Sequence, residues 1–236
     1  MSGHSWITAP ASPALGWTLA GRLAAATVLA AGSALQLVSH LIQPALPDID
    51  EALAWAAANP ELANDTKLLD VLALPFLFGT AAVYVLLSRR RSPRLAYTGG
   101  LLLGCGLVGL SGIEGYETLL ADLAGNHDTD LDALAAVADQ TTSPVAVLML
   151  SLLILGSLLG TLTLAIALWR SAAIPRVAAA LVAAPLLVDL VFIESLAVWP
   201  HWVPHAISLF TSFWIGWVLL YPGQVTAAQP TAPAPA

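Results

Sequence analysis

Six apolar stretches divide the chain, and each is long enough to cross a hydrocarbon core of about 30 Å as a helix. They run at about 17–41, 68–87, 95–117, 144–169, 174–198 and 203–221. Pro75 and Pro185 lie inside the second and fifth stretches, where a missing N–H predicts a kink. The pattern therefore predicts an all-α transmembrane bundle of six spans at 17–221, with an N-terminal cytoplasmic segment at 1–16 and a Pro/Ala-rich, disordered cytoplasmic tail at 222–236.

Two polar connections carry shorter amphipathic patterns, which predict two short helices on the outer face of the bundle. Asp48 or Asp50 can cap the first of them, and Asp128 or Asp130 can cap the second. The apolar sides would be Leu53, Ala56 and Ala57 in the first helix, and Leu131, Leu134, Ala135 and Ala138 in the second.

Matching features recur 80 to 82 residues apart, which predicts an internal duplication. The paired features are Asp48 and Asp128, Pro93-Arg94 and Pro175-Arg176, and Ile113-Glu114 and Ile193-Glu194. Each proposed unit would consist of one outer helix followed by a helical hairpin, and the first and sixth spans would flank the two units. Such parallel repeats occur in transporters, and also in proteins that transport nothing.

Composition agrees with a membrane domain, because 58% of the residues are hydrophobic and only 10% are charged. A soluble domain carries about 25% charged residues. Arginines concentrate in the connections 89–94 and 170–176, whereas acidic residues concentrate in the other loops. Since cytoplasmic loops hold the basic excess, both termini are predicted to be cytoplasmic in the inner membrane of a bacterium. With a net charge of −7, no nucleic-acid partner is expected; lipid is the expected partner, and the oligomeric state stays open.

The RSAAIPR turn follows a fourth span that contains Gly156 and Gly160. In this turn and in its order of loops and spans, the chain resembles a bacterial six-helix integral membrane family of unknown function. The resemblance covers most of the chain and implies architecture only, because that family has no established activity to carry over.

Ionisable residues at membrane depth cost about 2.5–3.5 kcal/mol each to insert, so they mark candidate sites. On the predicted threading all of them fall in the outer half of the bundle. The candidate ligand or ion site comprises His40, Asp70, Glu114, Glu117, Asp189, Glu194 and His205. Asp189 is the deepest of the set. The alternative without a binding site is that residues near span ends extend their polar groups to water by snorkelling and bind no ligand.

Three functions remain open on this pattern. The first is binding or transport of a small molecule or ion that enters from the outer side. The second is a structural or regulatory partner protein without a small-molecule site, and the third is a membrane-embedded metal-dependent enzyme. Carboxylates and imidazoles together suit a divalent metal, whereas haem is not expected, since no CxxCH motif is present. No catalytic motif occurs, so the sequence favours a protein that is not an enzyme.

Overall fold

The computed structural model describes residues 16–44, 46, 48–126, 128–139, 143–192 and 200–222. For residues 139 and 189–192 only the backbone is described. Across these ranges every regular element is helical. The helices are α1 (Leu19–Ile42), α2 (Ile49–Ala58), α3 (Pro60–Ser88), α4 (Pro93–Ala124), α5 (Leu131–Asp139), α6 (Pro144–Ser151), α7 (Ser157–Ser171), α8 (Arg176–Leu181), α9 (Ala184–Phe192) and α10 (Val203–Leu220).

Five helices are long and apolar enough to cross a membrane: α1, α3, α4, α10, and the rod Pro144–Ser171 that α6 and α7 form together. A π-helical turn, Leu152–Gly156, joins the two parts of that rod. Large apolar side chains such as Leu101 and Phe213 remain exposed on these helices. A bilayer solvates such side chains directly, so the surface is compatible with lipid contact.

The second and third long helices extend beyond their apolar stretches. α3 begins at Pro60 instead of the predicted Leu68, and α4 continues past Glu117 to Ala124. Pro60 stands in the first turn of α3, where its missing N–H costs little, and Glu61 follows it, an acid favoured near a helix N-terminus. The apolar stretch ends where charged residues begin, but the helix continues through those charged residues. The helices therefore extend beyond the predicted spans at these ends.

The fifth apolar stretch forms two short helices, α8 and α9. The helix breaks at Val182 and Ala183, directly before Pro185, which lies in the first turn of α9. Pro185 has no N–H to donate to the preceding turn, so the predicted interruption is confirmed. α3, in contrast, runs as one helix through Pro75. The last part of the predicted span, 193–198, lies outside the described residues.

Neighbouring long helices are antiparallel, since residues that ascend one helix meet residues that descend the next. For α1 and α3, the contacts are Val28 with Gly79 and Ser39 with Asp70; for α1 and α10, they are Ala26 with Gly216 and His40 with His205. For α4 and α3, they are Gly100 with Val85 and Glu117 with Lys67; for α4 and α7, they are Gly99 with Leu164 and Gly106 with Ser157. It follows that α3, α7 and α10 all run in one direction, opposite to α1 and α4.

The bundle therefore has two chemically different ends. We call one the arginine end, where the turns 89–92 and 172–175 lie. The other, the acidic end, holds the C-termini of α1 and α4, the N-terminus of α3, and the helices α2 and α5. There Leu53 and Ala56 of α2 pack in one buried cluster with Ala135 and Ala138 of α5.

Local capping explains why α2 and α5 form. The Asp48 carboxylate accepts the N–H of Glu51 at 2.9 Å, and the Asp130 carboxylate accepts the N–H groups of Asp132 and Ala133 at 3.1 and 3.2 Å. Each bond satisfies a donor that would otherwise lack a partner in the first turn of a helix. Both predicted short helices are confirmed, with Asp48 and Asp130 as the capping residues.

Glycines bring α4 and α7 into backbone contact. A methyl group added at Gly106 would lie 2.5 Å from the backbone nitrogen of Ser157, and one at Gly156 would lie 2.5 Å from that of Gly106. The sequence predicts close packing by the glycines of the third span, with a GxxxG motif at Gly100–Gly104, and a contact with Gly156–Gly160 of the fourth span. The approach of Gly106 to Gly156 and of Gly99 to Gly160 agrees with that prediction, whereas the GxxxG pair itself does not make the contact. Gly100 faces Val85 of α3, and a methyl group at Gly104 would meet nothing within 4 Å.

Candidate functional site

A charged cluster joins α3 to α4 at the acidic end. Lys67 Nζ donates a hydrogen bond to Glu117 Oε2 and lies 3.5 Å from Glu114 Oε2. Lys67 is 8% exposed, and the side chains of Glu114 and Glu117 are 14% and 46% exposed. Because Glu114 and Glu117 are three residues apart on α4, both carboxylates face the same ammonium group.

Asp70 extends this cluster one helical turn deeper. It is 5% exposed, and its Oδ2 accepts a hydrogen bond of 2.9 Å from the Ser39 hydroxyl of α1. Asp70 also interacts electrostatically with Lys67 on its own helix and with His40 of α1. The aspartate therefore connects the charged pair of α3 and α4 to a second polar group between α1 and α10.

That second group consists of three histidines. The His40 and His205 rings lie 3.8 Å apart between centroids, and the His201 ring lies 5.8 Å from that of His40. His40 Nδ1 is 2.9 Å from the carbonyl oxygen of Gln36, one turn earlier in α1, which fixes the orientation of its ring. Two histidines that bind one haem lie on opposite faces of its porphyrin. The His40 and His205 rings are in direct contact and leave no space for a porphyrin between them.

A line of hydroxyl groups continues from the histidines along the seam between α1 and α10. The Ser33 hydroxyl lies 2.9 Å from that of Ser212 and 3.3 Å from that of Ser208. Ser208 and Ser212 lie on the same side of α10 as His205. Beyond them the seam closes on Leu29 and Ile215, which are both fully buried. The polar part of the seam therefore ends before the arginine end.

The depth of the cluster follows from helix geometry. Asp70 is 18 residues before Ser88, so it lies about 27 Å along α3 from the arginine end at a rise of 1.5 Å per residue. A hydrocarbon core is about 30 Å thick. Asp70 and Lys67 would thus lie where the apolar layer gives way to the interface at the acidic end.

Three polar atoms in this region are buried without a hydrogen-bond partner among the described residues: Asp70 Oδ1, Glu114 Oε2 and His201 Nε2. Leaving such a group unsatisfied costs about 1–3 kcal/mol, and more when it is charged. They come from α3, from α4 and from the turn that precedes α10. The grouping of three buried polar atoms that lack hydrogen bonds distinguishes this region from ordinary surface charges.

The structure brings most of the predicted site residues together, but not as one group. Glu114 and Glu117 share Lys67, His40 and His205 are in ring contact, and Asp70 lies between the two groups. Asp189 falls in α9, where its side chain is not described, and Glu194 lies outside the described residues. Their membership of the site stays a prediction.

Lys67 was missed because the sequence places it in a loop before the second span. The available signal was its spacing: Lys67 and Asp70 are three residues apart, as Glu114 and Glu117 are, so each pair lies on one helix face. His201 is the other addition to the predicted set. Within the described ranges no three His, Cys, Asp or Glu side chains are grouped so that they could hold a metal ion.

Comparisons of the chain with protein-family models, with curated proteins and with solved structures give no match. Its class therefore follows from its own fold: a helical membrane protein with five membrane-capable helices. Within that class, its distinguishing feature is the buried group of ionisable side chains at the acidic end.

Proposed function

We propose that this protein binds a cation or a small polar ligand within the membrane, at the ionisable cluster of the acidic end. The observation that carries the proposal is the burial of two carboxylates, Asp70 with an unpartnered Oδ1 and Glu114, beside a single ammonium group. Three carboxylates and one ammonium leave the cluster with a formal charge of −2, so a bound cation would complete it. Asp189 and Glu194 remain members of the proposed site.

The proposed threading has six crossings, with both termini in the cytoplasm and the acidic end outside. Its support is the parallel direction of α7 and α10, since the chain between them runs from the arginine end back to the acidic end. α8 and α9 contain 6 and 9 residues, which is about 22 Å of helix in two segments, and α9 packs against α10. The arginines would then face the cytoplasm of a bacterial inner membrane.

We also propose that the chain contains a duplicated unit. Asp48 and Asp130 cap α2 and α5. Pro93 is the first residue of α4, and Pro175 directly precedes α8. Both intervals are 82 residues. The two capped helices also pack against each other at the acidic end, as the equivalent parts of two related units can.

Cation binding is testable by thermal unfolding of the purified protein in detergent at constant ionic strength, with sodium, potassium or ammonium chloride added separately. We expect at least one of these cations to raise the unfolding temperature saturably. Asp70→Asn combined with Glu114→Gln should abolish that rise, because the site loses two of its three negative charges. The control, Asp65→Asn, removes an exposed carboxylate of the same helix and should respond like the parent. An unchanged response in the double variant would disprove the proposed site.

A structural role is the competing proposal, and the bridge from Lys67 to both glutamates of α4 favours it, since that bridge alone would hold two helices together. On this alternative, none of the three cations would alter the unfolding temperature. A defined partner protein would instead purify with the chain at constant stoichiometry.

A further inference from the structure

A cavity of about 190 Å³ lies beneath α2, between the N-terminal part of α3 and the C-terminal part of α4. Its walls are mostly apolar, with Leu53 and Ala56 from α2 and Leu120 from α4. Its polar lining includes Lys67, Glu117 and Thr66. A water molecule occupies about 30 Å³ in the liquid, so the space corresponds to about six waters or one small organic molecule.

The charges in and around the cavity select against anions. Lys67 and Glu117 are the charged residues of its lining, and their formal charges cancel. Outside the lining, Glu114 lies 3.5 Å from Lys67, and Asp70, one turn further along α3, is 95% buried with an unpartnered Oδ1. With these two carboxylates included, the group has a formal charge of −2. An anion approaching Lys67 would meet three carboxylates in a region of low dielectric, where repulsion between like charges is strong. A cation would be attracted, and the Glu117 side chain is exposed enough to receive it.

The walls select against a bare metal ion. In the described part of the chain the necessary group of three ligands is lacking, and most of the cavity surface is aliphatic. One wall carries Trp55, whose indole face attracts cations and whose ring also packs against methyl groups. An aromatic wall, aliphatic neighbours and one accessible carboxylate are the features that recognise an alkylated ammonium group.

We propose that this cavity binds a small organic ammonium ion, with Glu117 as the partner of its charge and Trp55 as the aromatic wall against its alkyl groups. The inference rests on the proposed function and names the chemical class of its ligand. α2 covers the site, so the short helix capped by Asp48 has a binding role in addition to its packing role.

The probe for this inference is choline chloride, titrated calorimetrically into the full-length protein in detergent. Its neutral isostere 3,3-dimethyl-1-butanol has the same shape without the charge. We expect choline to bind saturably and the isostere to bind at least about tenfold more weakly, since it lacks both the ion pair and the cation–π contact. Equal affinity for the two probes would overturn the proposal.

Two variants test the named residues. Trp55→Leu and Glu117→Gln should each weaken choline binding about tenfold. The matched controls are Trp217→Leu, an exposed tryptophan of α10, and Glu51→Gln, an exposed carboxylate of α2; both should bind choline like the parent. If Glu117→Gln does not fold, Trp55→Leu decides the question, because it leaves the ion pair with Lys67 in place. Unchanged affinity in a folded Trp55→Leu would contradict the inference.

The outcomes also separate this inference from the function on which it rests. If an inorganic cation stabilises the protein through Asp70 and Glu114 while choline does not bind, the proposed function stands and the organic ammonium site is wrong. If neither choline nor any inorganic cation binds, both proposals are wrong. Saturable choline binding that depends on Trp55 and Glu117 supports both.

Discussion

At the residue scale, the cluster depends on one side chain. Lys67 places a positive charge between Glu114 and Glu117 in a region that is largely removed from water. Removing one partner of a buried ion pair leaves the other charge without compensation, and this costs more than the pair contributes when intact. The lysine is therefore expected to determine whether α3 and α4 can stay together at the acidic end.

Lys67→Met should lower the free energy of unfolding by about 3 kcal/mol, because Glu114 would remain buried without a counter-charge. Equilibrium unfolding in mixed micelles of increasing SDS content measures this loss. Adding Glu114→Gln and Glu117→Gln to Lys67→Met should restore most of the stability, since the uncompensated charges are then gone. If the triple variant is no more stable than Lys67→Met alone, the loss comes from packing and not from charge.

Sequence reasoning found most of this site because membrane-embedded charge is rare and each instance is conspicuous. It identified Asp70, Glu114 and His205 from their position in apolar stretches. It missed Lys67 because the charged residues in 61–67 end the apolar stretch, so that the helix was predicted to begin after them. Pro60 and Glu61 are residues typical of a helix N-terminus and mark the actual start of α3. It also could not determine which carboxylate meets which partner, since that depends on the rotation of each helix about its own axis.

At the scale of elements, α4 and α7 approach so closely at their glycines that backbone atoms of the two helices are in contact. Gly99, Gly106 and Gly109 of α4 face Leu164, Ser157 and Leu153 at distances that no side chain could enter without displacement. Membrane helices associate mainly through such close packing, because lipid is as apolar as their side chains. The π-helical turn Leu152–Gly156 lies in this same contact, opposite Gly106 and Gly109.

Gly106→Ala should destabilise the protein by about 1–3 kcal/mol, because its methyl group would overlap the backbone of α7. The matched control is Gly104→Ala, two residues away on the same helix, where a methyl group meets open space. That control should be neutral or slightly stabilising, since alanine favours a helix by about 0.5–1 kcal/mol over glycine. Equal unfolding temperatures for the two variants would show that the backbone contact does not hold the helices.

The glycines also show where prediction from one sequence ends. Composition indicated a glycine-rich contact between the third and fourth spans, and spacing indicated the GxxxG motif Gly100–Gly104. Of the glycines in the third span, the seam uses Gly99 and Gly106, which are seven residues apart and so on one face of α4. The short helices α2 and α5 were predicted with their caps, because capping depends on neighbours in the chain and not on a second helix.

At the scale of the whole molecule, the described helices constrain above all the direction in which each helix runs between the arginine end and the acidic end. α7 and α10 run parallel, so the connection between them crosses from the arginine end to the acidic end. Six crossings place the turn 89–92 and Tyr221 on the same side of the membrane, whereas five would place them on opposite sides.

Single cysteines in a Cys105→Ser background test this threading, with a thiol reagent that does not cross membranes. In intact cells, Glu51→Cys should be labelled, whereas Arg91→Cys and a cysteine added after Tyr221 should react only after the membrane is opened. Glu51, Arg91 and Tyr221 are all exposed, so failure to react at these sites reports sidedness. Labelling of Arg91→Cys and of the site after Tyr221 from opposite sides would refute six crossings.

One consequence of the ion pair concerns chemical access. The chain has a single lysine, so apart from the N-terminus it carries one primary amine, and that amine is held by Glu117 beneath α2. Acylating reagents require a free, deprotonated amine, so Lys67 can react only when its hydrogen bond to Glu117 is broken. The rate at which Lys67 is acylated therefore reports on the opening of this ion pair in the unmodified protein, without an added label.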